Sequence, residues 1–103
     1  MKTIYLTCKD ESEAKDIGKV LVEEKLAACV NYFPIDSIFR WEGKIEEEKE
    51  FGMLIKTKTE LIDEVIARIK ELHSYDIPCI EVLSVEDGNS EFLDWVEKET
   101  KNK

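Results

Sequence analysis

The only histidine of this 103-residue chain, His73, lies in a segment that also carries a thiol and carboxylates. Cys79 follows it by six positions, Asp76 lies between them, and Glu81 comes two residues later. Imidazole and thiolate are ligands that copper and zinc prefer, and carboxylates bind harder divalent ions. The candidate metal ligands are therefore His73 with Cys79, Asp76 or Glu81.

His73 has a structural interpretation as well. The helical pattern before it ends near Leu72. A histidine at the end of a helix can donate a hydrogen bond to one of the last free backbone carbonyls and interact favourably with the helix dipole. Spacing alone does not distinguish capping from ligation. In a symmetric oligomer one ligand per chain becomes several around an axis, so ligation would take the form of a modest site at a subunit boundary.

The other two cysteines, Cys8 and Cys29, lie in apolar strand-like runs, where free cysteine behaves as a small buried hydrophobe. An odd number of cysteines without a Cys-x-x-Cys pair argues against a secreted disulfide framework. Catalytic motifs are missing from the sequence: it has no Gly-rich phosphate loop, no His-Glu-x-x-His and no Gly-x-Ser-x-Gly. We therefore expect a protein that is not an enzyme.

Charge and length limit the partners further. The chain carries 15 basic and 24 acidic residues, a formal net charge of -9, which repels phosphate backbones and anionic lipid surfaces. No apolar run approaches the length of a membrane span or a signal peptide. We expect one domain over residues 1–103, no nucleic-acid or membrane partner, and a cytoplasmic location.

The elements that must position these residues follow from periodicity. Helical spacing of apolar residues predicts two helices, opened by the capping-box pairs Asp10 with Glu13 and Thr57 with Glu60, and a short terminal helix. Apolar and alternating runs predict strands over residues 2–8, 26–33, 37–45, 51–57 and 79–85. Pro34 predicts a bend or an edge position, after which the extended chain resumes at Ser37. The runs over residues 37–45 and 51–57 provide the two arms of one long hairpin.

The element order is thus β-α-β-β-α-β with a final helix. This order is the ferredoxin-like plan of the α+β class, an antiparallel sheet with helices on one face.

The long hairpin reverses near Glu42-Gly43, where glycine supplies the positive φ of a tight turn, and its first arm carries Phe39 and Trp41. Aromatic arms with open strand edges are unsafe in a monomer. We therefore expect other copies of the chain to cover them, with Phe39, Trp41 and Tyr75 in the interface.

Several segments, in chain order, resemble the CutA family of divalent-cation tolerance proteins. They are Leu26-Ala27-Ala28-Cys29-Val30-Asn31, Trp41-Glu42-Gly43-Lys44-Ile45, Lys56-Thr57, His73-Ser74-Tyr75-Asp76-Ile77-Pro78 and Phe92-Leu93-Asp94-Trp95. The resemblance implies a ferredoxin-like subunit of a tight homotrimer, whose hairpin extends the sheet of a neighbour. It also implies a cytoplasmic protein linked to tolerance of copper and other divalent cations.

The chain departs from the family pattern near the candidate ligands. Family members commonly have a proline after the histidine and a glutamate after the later proline, where this chain has Ser74 and Cys79. A first-strand cysteine associated with copper in some members aligns with Leu6, so Cys8 does not match it. His73 is the ligand that the resemblance carries over directly.

Two other functions stay open at this point. One is a trimeric signalling-type module that binds a small anionic effector between subunits, and the other is a trimeric scaffold without a ligand. None of these functions requires an obligatory cofactor, and copper or another divalent cation is the candidate ion.

Overall fold

The structure, a computed structural model, describes residues 1–102. Strands and helices follow one another in the predicted order along this part of the chain. Their bounds are β1 Lys2–Cys8, α1 Glu11–Glu23, β2 Cys29–Trp41, β3 Lys44–Thr57, a 3-10 turn Thr59–Leu61, α2 Ile62–Leu72, β4 Ile80–Ser84 and α3 Ser90–Glu99.

The strands form one antiparallel sheet in the order β2-β3-β1-β4. On one face of β1, Ile4, Leu6 and Cys8 are fully buried, in one cluster with side chains from α1 and α2. Since alternate residues of a strand point to opposite faces, α1 and α2 cover the same side of the sheet. The antiparallel sheet and its helical face confirm the predicted architecture.

The start of α1 confirms the first capping prediction. Asp10 Oδ1 accepts from the backbone N–H of Glu13 at 2.9 Å, and Glu13 Oε1 accepts from the N–H of Lys9 at 3.1 Å. The second capping prediction is wrong. Thr57 is the last residue of β3, and its hydroxyl donates to the carbonyl of Leu26 at 2.6 Å, because sheet pairing places it against the turn before β2.

The hairpin is more continuous than predicted. β2 runs without a break through Pro34, which pairs with Phe51. The proline lies in an edge strand, since β2 is the first strand of the sheet order, so the predicted edge position is confirmed. Glu42 and Gly43 form the turn with φ values of 49° and 79°, the two positive values of a tight type I′ reversal.

The outer half of this hairpin has no neighbouring strand within the described chain. Pairing of β1 with β3 stops at Cys8 and Phe51, whereas β2 and β3 stay paired out to Trp41 and Lys44. The molecule is accordingly elongated, with extents of 44 × 26 × 21 Å. The outer half thus projects beyond the sheet as a two-stranded ribbon, which we call the distal hairpin, residues 36–49.

Within residues 1–102 the helices do not meet the requirement for a membrane span. The longest, α1, has 13 residues, and a span needs about 20 mostly apolar ones.

We expect Gly52→Ala to lower the free energy of unfolding by about 1–3 kcal/mol, since the added methyl overpacks the site. A Cβ at this position would lie 2.7 Å from Cε2 of Phe33, whose ring covers the glycine. The matched control is Gly88→Ala, because a Cβ there meets nothing closer than 3.7 Å. Guanidinium denaturation at fixed protein concentration compares the two, and equal midpoints would contradict the assignment of a close approach at Gly52.

Candidate functional site

His73 ends α2 and turns its ring toward β1. Its side chain is fully buried, with Nε2 2.8 Å from the carbonyl oxygen of Thr7. Nδ1 accepts from the backbone N–H of Tyr75 at 3.0 Å. A carbonyl can only accept, so the neutral ring with its proton on Nε2 satisfies both contacts. The ring therefore binds a strand carbonyl, and not the last carbonyls of α2 that the capping interpretation predicted.

Glu13 lies beside this ring. One carboxylate oxygen accepts from the N–H of Lys9 and the other from the N–H of Ser74 at 2.9 Å, and Oε1 is 3.9 Å from His73 Nε2. Burial opposes ionisation of this carboxyl, but hydrogen bonds from Ser74 and Lys9 and the nearby imidazole outweigh it and lower its pKa. Glu13 is thus a buried carboxylate whose oxygens already have partners.

Cys8 completes a group of three polar side chains. One potential ligand atom each from Cys8, Glu13 and His73 lies within 4.8 Å of the others, and residues 1–102 contain no second group of this kind. The Cys8 thiol donates to the thioether sulfur of Met53 at 3.5 Å. Burial, with the charge of Glu13 as the next cause, raises the pKa of the thiol to about 12, so it is protonated at neutral pH.

The residues predicted as ligands are distributed differently. Cys79 is exposed, and its Sγ lies 3.7 Å from Oε1 of Glu81. Asp76 is exposed in the loop between α2 and β4. Within one protomer His73 is grouped with Cys8 and Glu13, and not with Cys79, Asp76 or Glu81.

The loop of residues 73–79 is hydrogen-bonded to three other elements. His73 binds β1, Ser74 donates to Glu13 of α1, and the Tyr75 hydroxyl donates to Oε2 of Glu50 in β3 at 2.7 Å. Burial and the bond to Glu50 raise the pKa of the phenol. Tyr75, predicted as an interface residue, is therefore half-buried by contacts within its own chain.

A cavity of about 870 Å³ separates this loop from the distal hairpin. Phe39 and Trp41 line it, and their exposed fractions are 39% and 46%. The charged side chains on its wall comprise four carboxylates and two ammonium groups. They are Glu46, Glu48, Glu50 and Asp76, and Lys9 and Lys49. Three of the carboxylates share a face because they alternate along β3, so the cavity suits cations better than anions.

Comparison with known proteins places this geometry in a family. Residues 2–99 match the family model described as CutA1 divalent ion tolerance protein. The divalent-cation tolerance protein CutA of Archaeoglobus fulgidus is 52% identical over 95 residues, 92% of this chain and 93% of that protein.

Solved structures of related proteins have the same fold. CutA1 of Pyrococcus horikoshii superposes with a TM-score of 0.96 at 42% identity, covering 99% of this chain and all of that one. The A. fulgidus structure, described as a periplasmic divalent cation tolerance protein, gives 0.95 at 49% identity over 98% of this chain and 100% of that chain. A CutA from Nostoc, described as PII-like, gives 0.93 at 34% identity over 98% of each chain.

We expect Glu13→Gln to destabilise the protein by about 1.5–3 kcal/mol at pH 7, since Gln has one oxygen for two backbone donors. The folded pKa of Glu13 lies below its ordinary value of 4.5, so the carboxylate's contribution is complete above that pH. It is lost as the pH falls through the folded pKa. Denaturation curves at pH 7 and in acid measure the difference, which should shrink in acid.

Glu11→Gln is the control, because Glu11 lies in the same first turn of α1 but is exposed. An equal loss for both variants, or a Glu13→Gln effect that is unchanged in acid, would contradict the role given to these hydrogen bonds.

Proposed function

Because the chain belongs to the CutA1 family of divalent ion tolerance proteins, we propose that it serves the cell's response to excess divalent cations, copper included, by binding metal and not by catalysis. The observation that carries this proposal is the family match over residues 2–99, together with a 52% identical relative named for divalent-cation tolerance. The acidic wall of the cavity supports it, since it attracts cations. Binding of hydrated divalent ions at such an exposed wall is weak.

We further propose that the protomer is a ferredoxin-like subunit of a homotrimer. The distal hairpin supports this assembly, because Ile38 and Ile45 are 74% and 68% exposed on a ribbon with which no other strand of residues 1–102 pairs. β4 supports it too, since it is an open edge to which a further strand can pair. A hairpin from one copy laid along β4 of the next would cover both features.

The face of the sheet away from α1 and α2 gives a second reason for assembly. Tyr5 pairs with Leu54 on this face, and Leu83 of β4, on the same side, is 48% exposed. Exposed apolar side chains on a sheet face favour burial against another copy. The predicted interface residues Phe39, Trp41 and Tyr75 lie where the hairpin and the neighbouring subunit would meet.

The proposed location is the cytoplasm, where thiols stay reduced, because Cys8, Cys29 and Cys79 are all free. The A. fulgidus relative, by contrast, is described as a periplasmic protein. Cell fractionation of the tagged protein decides it for this chain.

The signalling-type alternative receives less support. The Nostoc relative is described as PII-like, which favours an effector site between subunits. The cavity beside the loop, however, carries four carboxylates against two ammonium groups, and this balance repels a small anion. We therefore place cation binding ahead of an anionic effector and of a scaffold without a ligand.

We expect light scattering to give three times the 12.0 kDa chain mass at micromolar concentration. Introducing Phe39→Lys and Trp41→Lys together should yield monomers, since two charges would have to be desolvated in the interface. Val22→Lys is the control, because Val22 is 42% exposed on α1, away from the hairpin. A monomeric parent protein would overturn the trimer. A doubly substituted protein that keeps the trimeric mass would overturn the placing of Phe39 and Trp41 in the interface.

Calorimetric titration with copper(II), zinc and ATP distinguishes the three functions. We expect heat with the metals, at dissociation constants of about 1 µM or weaker, and none with ATP. Heat with ATP alone would favour the anionic-effector function, and no heat with any of them would favour the scaffold. Growth of cells with and without the gene in added copper tests tolerance itself, and equal growth would contradict the proposed function.

A further inference from the structure

The cavity between the loop of residues 73–79 and the distal hairpin combines negative charge with apolar surface. Its wall carries carboxylates together with aromatic and aliphatic side chains, among them Phe39, Trp41 and Ile77. We propose that this cavity binds a linear aliphatic polyamine, an organic cation of the spermidine class. The inference goes beyond the proposed response to metals and does not depend on it.

The size of the cavity suits an organic molecule better than a single ion. Its volume of about 870 Å³ lies within the range of about 300–1,000 Å³ that is usual for small-molecule sites. A divalent ion with six waters of about 30 Å³ each would fill less than a quarter of that volume. The side chains of Phe39, Trp41 and Ile77 offer no ligand atom to a metal, so this part of the wall would contribute nothing to metal binding.

Glu50 gives the cavity a buried anionic group with a free oxygen. The residue is 9% exposed, and its Oε2 accepts from the Tyr75 hydroxyl at 2.7 Å. Oε1 forms no hydrogen bond or ion pair with residues 1–102, and this part of the chain has no fully enclosed side-chain oxygen without a partner. Oε1 is therefore open to the cavity that Glu50 lines. A carboxylate oxygen of this kind forms its strongest hydrogen bond with a donor that carries a positive charge.

The carboxylates on β3 form a row with a regular repeat. Glu46, Glu48 and Glu50 lie on one face of the strand, and alternate residues of a strand are about 6.5 Å apart. The ammonium groups of a polyamine are separated by three or four methylenes, which is a comparable length when the chain is extended. One polyamine lying along β3 can therefore place successive ammonium groups against successive carboxylates.

The other arm of the hairpin supplies an aromatic wall on the same face. Phe39 pairs directly with Glu46, and Trp41 lies two residues further along β2. The face of an aromatic ring attracts an ammonium group, and it also covers the methylenes that separate such groups. Aromatic rings opposite carboxylates thus favour an organic ammonium ion over a hydrated metal ion.

The charge of the wall fits a cation with two or three ammonium groups. The four carboxylates are opposed by Lys9 and Lys49, and Lys49 forms an ion pair with Asp36 at 3.1 Å. This leaves two negative charges in excess on the wall, or three when Lys49 is assigned to its pair with Asp36. Spermidine carries three ammonium groups at neutral pH, so one molecule would compensate this excess.

The test is a calorimetric titration of the full chain with spermidine in about 0.15 M salt, where diffuse attraction is screened. We expect one molecule per chain, with a dissociation constant between about 1 µM and 1 mM. Glu50→Gln should weaken binding about 10-fold or more, because it removes a charged acceptor from a buried place. Glu48→Gln should weaken binding about 2–5-fold, since Glu48 is exposed, and this variant remains informative if Glu50→Gln does not fold.

Glu47→Gln is the matched control. It removes the same charge from the same strand, but Glu47 lies on the opposite face of β3 and does not line the cavity. Unchanged affinity in this variant supports the site. An equal loss in Glu47→Gln and Glu48→Gln would indicate diffuse attraction to a chain of net charge -9 and would overturn the site. No heat with the parent protein would overturn it as well, and a trilysine peptide that binds more tightly than spermidine would overturn the polyamine in favour of a peptide partner.

Indole fluorescence gives a second readout. Trp41 and Trp95 are the two tryptophans of the chain, so the tryptophan emission of a Trp95→Phe variant comes from Trp41 alone. We expect saturating spermidine to change the intensity or the wavelength of this emission, because an ammonium group then lies against the ring. Unchanged emission would overturn the aromatic wall as part of the site.

The site and the proposed function fail in different experiments. If the parent protein does not bind spermidine but the gene gives copper tolerance, the site is overturned and the function stands. If spermidine binding depends on Glu48 and Glu50 but the gene gives no tolerance, the site stands and the function is overturned.

Discussion

The pairing of β1 with two strands at once is the constraint on which the structure depends. β3 pairs along all of β1 from Lys2 to Cys8, whereas β4 pairs only from Lys2 to Leu6. Beyond Leu6 the β4 side of β1 is open, and the carbonyl of Thr7 is met there by the His73 ring. A part-buried backbone carbonyl is stabilised by a hydrogen-bond partner, and the imidazole supplies it where the strand does not reach. Sheet and site are thus one hydrogen-bonded unit, because the end of α2 completes the ladder of β1.

Much of this architecture could be predicted from local patterns. Alternation and helical spacing report which face of an element is apolar, and this is why the element order, the Asp10 cap and the turn at Gly43 are confirmed by the structure. Thr57 shows the limit. Its hydroxyl binds the carbonyl of Leu26 in the turn before β2, a tertiary contact that outweighs the local capping pattern. The residues within four positions of Thr57 do not predict that contact.

The candidate site could be predicted only in part, for the same reason. His73 was identifiable as a single imidazole, but Cys8 and Glu13 lie more than 55 positions before it and meet it only when α2 ends beside β1. Cys79 was favoured by its short separation along the chain, yet the loop turns it outward toward Glu81. The sequence did contain one signal, the alternation of β1: Cys8 shares the inward face of this strand with Leu6. A side chain from the end of α2 that reaches the end of β1 therefore lies close to Cys8.

Pro34 has a consequence for how this chain meets other strands. It sits in the middle of β2, the free edge opposite β4, and offers no amide hydrogen to a strand arriving from outside. A strand pairing along the whole of that edge would meet one residue that cannot donate a backbone hydrogen bond. Continuous edge-to-edge pairing of copies along β2 is thereby disfavoured, whereas the edge formed by β4 remains available for pairing. One proline thus makes the two edges of the sheet unequal in their capacity to pair with a further strand.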